Sequence, residues 1–183
     1  MTIAEQISRS QQRFRDLVWP VIQGHLGGGD LVAVEGENEL LDMYAGIDAW
    51  QVLRDSQCIY GIGSRVQTYW SFGTLTVRAV TGRGNGHTEF SKRVAAIADG
   101  ALYPKWTVHA YVPEEHLHEV AVIRTTDLFG YLEPHVAAGR VGKLDCGPDP
   151  ESEIGLRTAN ADGAVFLHVP FDVLPGVWKW KQP

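Results

Sequence analysis

Polar side chains occupy regular positions in two strand-like segments of this 183-residue chain. Asp48 lies in the run Met43 to Val52, whose aromatic and branched residues are typical of a buried strand. Arg65 and Gln67 lie two residues apart in the next run, Cys58 to Gln67, and strand alternation therefore puts them on one face. A carboxylate in a run that favours burial indicates a catalytic group or an ion pair.

Further carboxylates precede Asp48 in the acidic segment 35–42, and they are Glu35, Glu37, Glu39 and Asp42. Two converging carboxylates could hold Mg²⁺ or Mn²⁺, because these ions prefer oxygen ligands. Such a metal activates a water molecule and stabilises the departing oxygen in phosphodiester cleavage. We take Asp48 and Glu39 as the metal ligands, and the other three acids stay open as alternatives. A charge run of this kind is more often a solvated loop.

Hydrophobic periodicity predicts the elements that position these residues. Three runs joined by short links, Met43 to Val52, Cys58 to Gln67 and Thr74 to Val80, favour an antiparallel meander. The other predicted elements are a helix from Thr2 to His25 ended by three glycines, a strand at Leu31 to Val34, a helix from Thr88 to Ala98, paired strands at Trp106 to Val112 and Glu119 to Arg124, a short helix at Asp127 to His135, and a strand at Ala164 to Val169.

Composition favours one soluble cytoplasmic domain over residues 1–183, with a core at 1–125 and an irregular extension at 126–183. The formal net charge of −6 gives no general electrostatic footprint for nucleic acid, so DNA binding requires a local basic patch. The only two cysteines, Cys58 and Cys146, support neither a disulfide framework nor a paired-cysteine zinc site. The sequence contains no apolar run near the ~20 residues of a membrane helix, so we expect no membrane partner.

The order of helix, strand, strand with aspartate, strand with a polar pair, helix and strand resembles the core of the PD-(D/E)XK nuclease superfamily. Gly46-Ile47-Asp48 resembles the aspartate motif of that superfamily, and Arg65-Val66-Gln67 resembles its acid-x-lysine motif. In one alignment Arg65 replaces the acid and Gln67 the lysine. In the other, Gln67 replaces the acid and Tyr69 the lysine. Neither alignment restores the full motif.

The resemblance implies an α+β fold in which a central mixed β-sheet is flanked by helices, as in restriction endonucleases. It also implies a Mg²⁺- or Mn²⁺-dependent endonuclease that cleaves DNA. In this interpretation Asp48, Arg65 and Gln67 are catalytic, with Asp48 and Glu39 on the metal and Arg65 and Gln67 contacting water or phosphate.

The densest cationic region of the chain follows the third strand of the predicted meander. We assign Arg78, Arg83, Lys92 and Arg93 to binding of the DNA backbone, because arginines and a helix N-terminus commonly position phosphates. The alternative is a helix surface with solvated charges, for example Glu89 paired with Lys92 or Arg93.

Three aromatic residues, Tyr69, Trp70 and Phe72, lie between two strands and could stack on bases, although such residues more often cap a core. The missing lysine favours a second function, a catalytically inactive nuclease-like protein that binds nucleic acid or a protein partner or forms a homodimer. Trp178 and Trp180 would then offer a contact surface. A third alternative is a ligand-binding sheet protein in which Asp48 and Arg65 form a buried ion pair.

Overall fold

The computed structural model describes residues 3–34, 45–80, 88–138, 142–143, 155–158 and 164–183 of an α+β chain. Contacts divide the chain into two compact units. The first unit is Met1–Ser71, Tyr103–Ile123 and Trp178–Pro183, and the second is Phe72–Leu102 and Arg124–Val177. The assignment of the chain to a single domain stays a prediction.

The first unit begins with a helix in three continuous segments, α1 at Ile3–Arg13, a π-helical turn at Phe14–Val18 and α2 at Trp19–Ile22. This confirms the predicted N-terminal helix. Pro20 does not end it, because the wider π-helical turn immediately before α2 accommodates a residue without a backbone N–H. The apolar stripe of this helix buries Phe14, Val18 and Ile22.

Six strands of the first unit form one mixed sheet in the order β1-β2-β3-β5-β6-β10. The strands are β1 (Asp30–Ala33), β2 (Ala49–Leu53), β3 (Cys58–Gln67), β5 (Trp106–Tyr111), β6 (Glu119–Arg124) and β10 (Trp178–Lys181). β2 runs antiparallel to β1 and β3, and β10 runs antiparallel to β6. β3 and β5 run parallel, which makes the sheet mixed as predicted.

One face of this sheet carries the core of the first unit. Ile62 and Val66 of β3 belong to the cluster that packs on Phe14 and Val18 of the helix. Alternate residues of a strand point to opposite faces, so Arg65 and Gln67 lie on the face away from that helix.

The helix ends in a turn through Gly27, Gly28 and Gly29, which all have φ between 83° and 92°. The fully buried side chain of Gln51 on β2 fixes this turn, because its Nε2 donates to the carbonyl oxygens of Leu26 at 2.9 Å and Gly28 at 2.7 Å.

The second unit contains a four-stranded sheet in the order β4-β9-β8-β7 and two helices. Its elements are β4 (Thr74–Val80), α3 (Glu89–Asp99), α4 (Thr125–Ala137), β7 (Gly142–Lys143), β8 (Gly155–Thr158) and β9 (Val165–Pro170). Thr88 caps α3 through a reciprocal capping box with Ser91, as its sequence position predicts. The Phe90 and Phe129 rings, with centroids 6.1 Å apart, connect α3 to α4.

The predicted meander is wrong at its third strand. β3 has β2 on one side and β5 on the other, so no edge of β3 is open to β4. β4 instead pairs with β9 in the second sheet, antiparallel, with Leu75 opposite Val169. The predicted hairpin of β5 and β6 is confirmed, since the strands are neighbours and the His118 amide donates to the Tyr111 carbonyl at 2.9 Å.

The chain after residue 125 contributes to both sheets, through β7, β8 and β9 in one and β10 in the other. No helix of the described residues is long and apolar enough to cross a membrane.

Candidate functional site

Asp48 lies immediately before β2, where its backbone bonds to β3 on one side and to the residue after β1 on the other. Its amide donates to the Ile62 carbonyl at 2.9 Å, and its carbonyl accepts from the Val34 amide at 3.1 Å. The Asp48 carboxylate accepts a hydrogen bond from the backbone amide of Ser64 on β3. The side chain is half-buried, so the carboxylate is held at a fixed point while part of it stays accessible.

A cleft of about 360 Å³ opens beside Asp48 between the first helix and the sheet. The strand side of the cleft includes Asp48, Ser64 and the edge strand β1. The helix side carries four polar side chains, which are Ser8, Gln11, Gln12 and Arg15. Gln11 connects the two sides, because its Nε2 donates to the Val34 carbonyl at 3.4 Å.

The lining combines one carboxylate with neutral hydrogen-bonding groups and one guanidinium. Arg15 can attract a phosphate, while Ser8 and Gln12 can donate hydrogen bonds to its oxygens. Arg15 is exposed and lies 3.2 Å from the carboxylate of its neighbour Asp16, so its charge is partly offset.

The oxygen donors at this position are of the type that Mg²⁺ and Mn²⁺ prefer. The Asp48 carboxylate and the hydroxyl and amide oxygens of the lining are donors of this type, and the role of Asp48 as a metal ligand stays a prediction. Within the part of the chain that the structure describes, no group of three His, Cys, Asp or Glu side chains is arranged to hold a metal ion. Glu39 and its alternatives Glu35, Glu37 and Asp42 lie outside the described residues.

Arg65 and Gln67 lie beside buried aromatic residues of β5. In the parallel pairing, Arg65 lies opposite His109 and Gln67 opposite Tyr111. His109 and Tyr111 are almost fully buried, at 1% and 0% exposure, whereas Arg65 and Gln67 are half-buried. The structure therefore brings the two predicted residues together on one face of β3, as the alternation predicted. The Asp48 carboxylate accepts from the backbone amide of Ser64, the residue before Arg65.

The predicted DNA-binding cations belong to the second unit, except Arg83, which lies outside the described residues. Arg78 is exposed, and its guanidinium carbon lies 5.2 Å from the centroid of the Phe166 ring. Lys92 is half-buried on α3. Arg93 is only 8% exposed, so little of its side chain is accessible to a phosphate.

The helix side of the cleft was not among the predicted site residues. Gln11, Gln12 and Arg15 follow the three- and four-residue spacing of one helix face, and this spacing is visible in the sequence. Ser64 was also missed, because its backbone amide rather than its side chain contacts Asp48.

A second groove of about 310 Å³ lies along the same helix and is lined by charged residues. Arg13 Nε donates to Glu115 Oε2 at 2.8 Å, and a second hydrogen bond joins the same two side chains. The hydrogen bond from Arg13 lowers the pKa of Glu115, and the same bond raises the pKa of Arg13. Arg9 and Asp16 also line this groove.

No protein-family model, curated protein or solved structure matches this chain. The interpretation of the cleft therefore rests on its own geometry and chemistry.

Proposed function

We propose that this protein is a metal-dependent endonuclease that cleaves DNA phosphodiester bonds in the cleft beside Asp48. The observation that carries the proposal is the half-buried Asp48 carboxylate, oriented by the Ser64 amide and facing a polar cleft. A fixed and partly accessible carboxylate supports metal binding, because holding the ligand in place reduces the entropy lost on binding.

In this proposal Asp48 and an acid of the segment 35–42, with Glu39 as the assigned residue, hold Mg²⁺ or Mn²⁺. When bound, the metal supplies an activated water and neutralises charge on the phosphate. Arg15 attracts the phosphate at the cleft, and Ser8 and Gln12 donate hydrogen bonds to it. Arg65 and Gln67 lie on the face of β3 away from the helix, so this proposal gives them no role in the cleft, and their contact with water or phosphate stays a separate prediction. Backbone binding by Arg78, Lys92 and Arg93 also stays a prediction.

A second function is favoured by the residues of β3 that share the face of the cleft. These are Ile62, Ser64 and Val66, and none of them supplies an acid or a lysine. A protein that binds DNA without cleaving it needs neither group. This observation supports the catalytically inactive alternative, in which Asp48 is retained for its hydrogen bond to β3.

A plasmid-nicking assay tests the proposal. It compares nicking of supercoiled plasmid in Mg²⁺ or Mn²⁺ with the same reaction in chelator. We expect metal-dependent nicking that falls at least ~100-fold in Asp48→Asn, because that change removes the negative charge of a metal ligand. Asp55→Asn is the matched control, since Asp55 is an exposed aspartate in the turn between β2 and β3.

Equal nicking by the wild-type protein and Asp48→Asn would place the chemistry elsewhere. Complete absence of nicking, with folded protein that still binds DNA, would support the non-catalytic function. A raised melting temperature on adding Mg²⁺ to the wild-type protein, absent in Asp48→Asn, would separately locate the metal.

A further inference from the structure

Two adjacent aromatic side chains remain on the surface directly after β3. Trp70 is 58% exposed and Tyr69 is 43% exposed. Tyr69 covers the buried Tyr111 ring on one side, as a cap over the core would, and both side chains leave a large part of their surface exposed. Leaving a large aromatic ring exposed to water is unfavourable, because its apolar surface is not buried. Neighbouring exposed rings therefore commonly belong to a binding surface.

Both rings are held by perpendicular neighbours. The Trp70 ring meets His118 at a centroid distance of 5.0 Å and an interplanar angle of 79°. The Tyr69 ring meets the buried ring of Tyr111 at 5.7 Å and 61°. Edge-to-face contacts of this kind are favourable for aromatic pairs and leave the rest of the ring surface available.

The backbone around the two rings is also fixed. On one side the Gln67 carbonyl accepts from the Val112 amide at 2.7 Å. On the other side the Ser71 hydroxyl donates to the Glu119 carboxylate. The aromatic pair is therefore pre-organised, and a ligand that covers it pays little conformational entropy.

The composition of the patch indicates a flat ligand. Among the described residues of the first unit, the exposed large aliphatic side chains are Val32, on the edge strand β1, and Ile59, near the opposite end of β3. Next to Trp70 lie instead the His118 ring and the end of the chain, where the Gln182 amide donates to the His118 carbonyl at 2.9 Å. An exposed indole beside an imidazole ring offers flat π-faces, which favour a partner that stacks over one that interdigitates.

We infer that Tyr69 and Trp70 form a stacking platform for unpaired bases, and that the DNA bound by this protein is single-stranded where it meets the platform. The choice of DNA as the ligand rests on the proposed function. Base stacking on aromatic rings tolerates any sequence, because every base has a π-face.

The platform and the cleft are connected by one continuous segment. Ser64, which holds the Asp48 carboxylate, precedes Tyr69 by five residues, a distance of about 17 Å along an extended chain. Single-stranded DNA sites of this type cover ~4–16 nucleotides. One bound strand is therefore long enough to contact the platform and reach Asp48.

Binding of a fluorescent 15-nucleotide oligo-dT, measured by anisotropy in chelator so that no cleavage occurs, tests the platform. We expect roughly 10-fold weaker binding in Trp70→Leu, in line with the loss of one stacked base. Trp70→Phe keeps a π-face and should bind within about 3-fold of the wild-type protein. Ile59→Ala, which alters a residue that is 62% exposed, is the matched control and should bind normally.

Wild-type affinity in Trp70→Leu, or an equal loss in Ile59→Ala, would overturn the platform. Binding of a hairpin duplex as tightly as oligo-dT would overturn it too. Self-association abolished by Trp70→Leu, without oligonucleotide binding, would identify the patch as a homodimer interface instead. Nicking without single-strand binding would support the nuclease proposal and refute the platform. Single-strand binding without nicking would support the platform and refute the nuclease proposal.

Discussion

The ion pair of Arg13 and Glu115 joins the first helix to the connection between β5 and β6. The hydrogen bond from Arg13 is the largest cause of the lowered pKa of Glu115, and the positive charges of Arg13, Arg9 and His116 act in the same direction. Burial acts in the opposite direction. Because Glu115 is exposed, solvent screens the pair and its contribution to stability is small.

The sign of the pH dependence follows from the lowered pKa. The folded protein binds the Glu115 proton more weakly than the unfolded chain, so the stabilisation is complete above the unfolded pKa of about 4.3 and is lost as pH falls through the folded value. We expect Glu115→Gln to be less stable than the wild-type protein at pH 6, with a difference that shrinks as the pH falls below the unfolded pKa. Urea unfolding at several pH values measures this.

Glu114→Gln is the control for this ion pair, because the described residues include no ion-pair partner for Glu114. A stability difference for Glu115→Gln that stays constant from pH 6 to pH 3 would contradict the role of Arg13.

At the level of residues, the sequence predicts which side chains share a face but not which atoms meet. Arg65 and Gln67 lie on one face of β3 because strand alternation requires it. The contact from the Ser64 amide to Asp48 depends on an irregular pairing, in which Asp48 donates to the carbonyl of Ile62 while Ala49 is the paired neighbour of that residue. Local patterns do not specify such a shift.

At the level of elements, the three-glycine turn limits how the helix meets the sheet. A Cβ atom on Gly29 would lie 2.6 Å from the Val52 carbonyl oxygen and 2.7 Å from the Leu53 Cδ2 atom, while one on Gly28 meets no atom within 4 Å. Both glycines have positive φ, 92° and 83°. The two positions therefore share backbone strain and differ in steric contact.

We expect Gly28→Ala to cost about 1 kcal/mol of unfolding free energy from backbone strain alone. Gly29→Ala should cost roughly 3 kcal/mol or more, because the new methyl group also overlaps backbone atoms of β2. Denaturant unfolding of both variants measures the difference. Equal losses in the two variants would show that β2 moves freely away from the turn.

The strand patterns located most elements but did not specify their partners. β3 and β4 have the predicted bounds, because alternation and turn residues are local signals. The parallel pairing of β3 with β5 requires a long crossover, and here the crossover contains β4 and α3 of the second unit. Short links in the sequence favoured a meander, but the tertiary arrangement places β4 in another sheet.

At the level of the whole molecule, the two units alternate along the chain, so no linker separates them in sequence. A search of the sequence for a linker therefore does not reveal the division. The predicted site residues are also divided between the two units. Asp48, Arg65 and Gln67 belong to the first unit, whereas Arg78, Lys92 and Arg93 belong to the second.

The salt dependence of oligo-dT binding tests the stacking platform, because the protein carries a net charge of −6. For single strands, the slope of log affinity against log salt is about −0.7 for each neutralised phosphate. An acidic protein that binds mainly by stacking should neutralise few phosphates, so we expect a slope of about −2 or shallower for oligo-dT. Anisotropy titrations between 50 and 300 mM NaCl measure it.

Two variants separate stacking from charge in the same titrations. Trp70→Leu should weaken binding by a similar factor at every salt concentration and leave the slope unchanged, because an indole ring releases no counterions. Arg15→Gln should make the slope shallower by about 0.7, because Arg15 is the cation that lines the cleft. A wild-type slope steeper than about −5 would instead show that phosphate contacts dominate and that the aromatic pair is secondary.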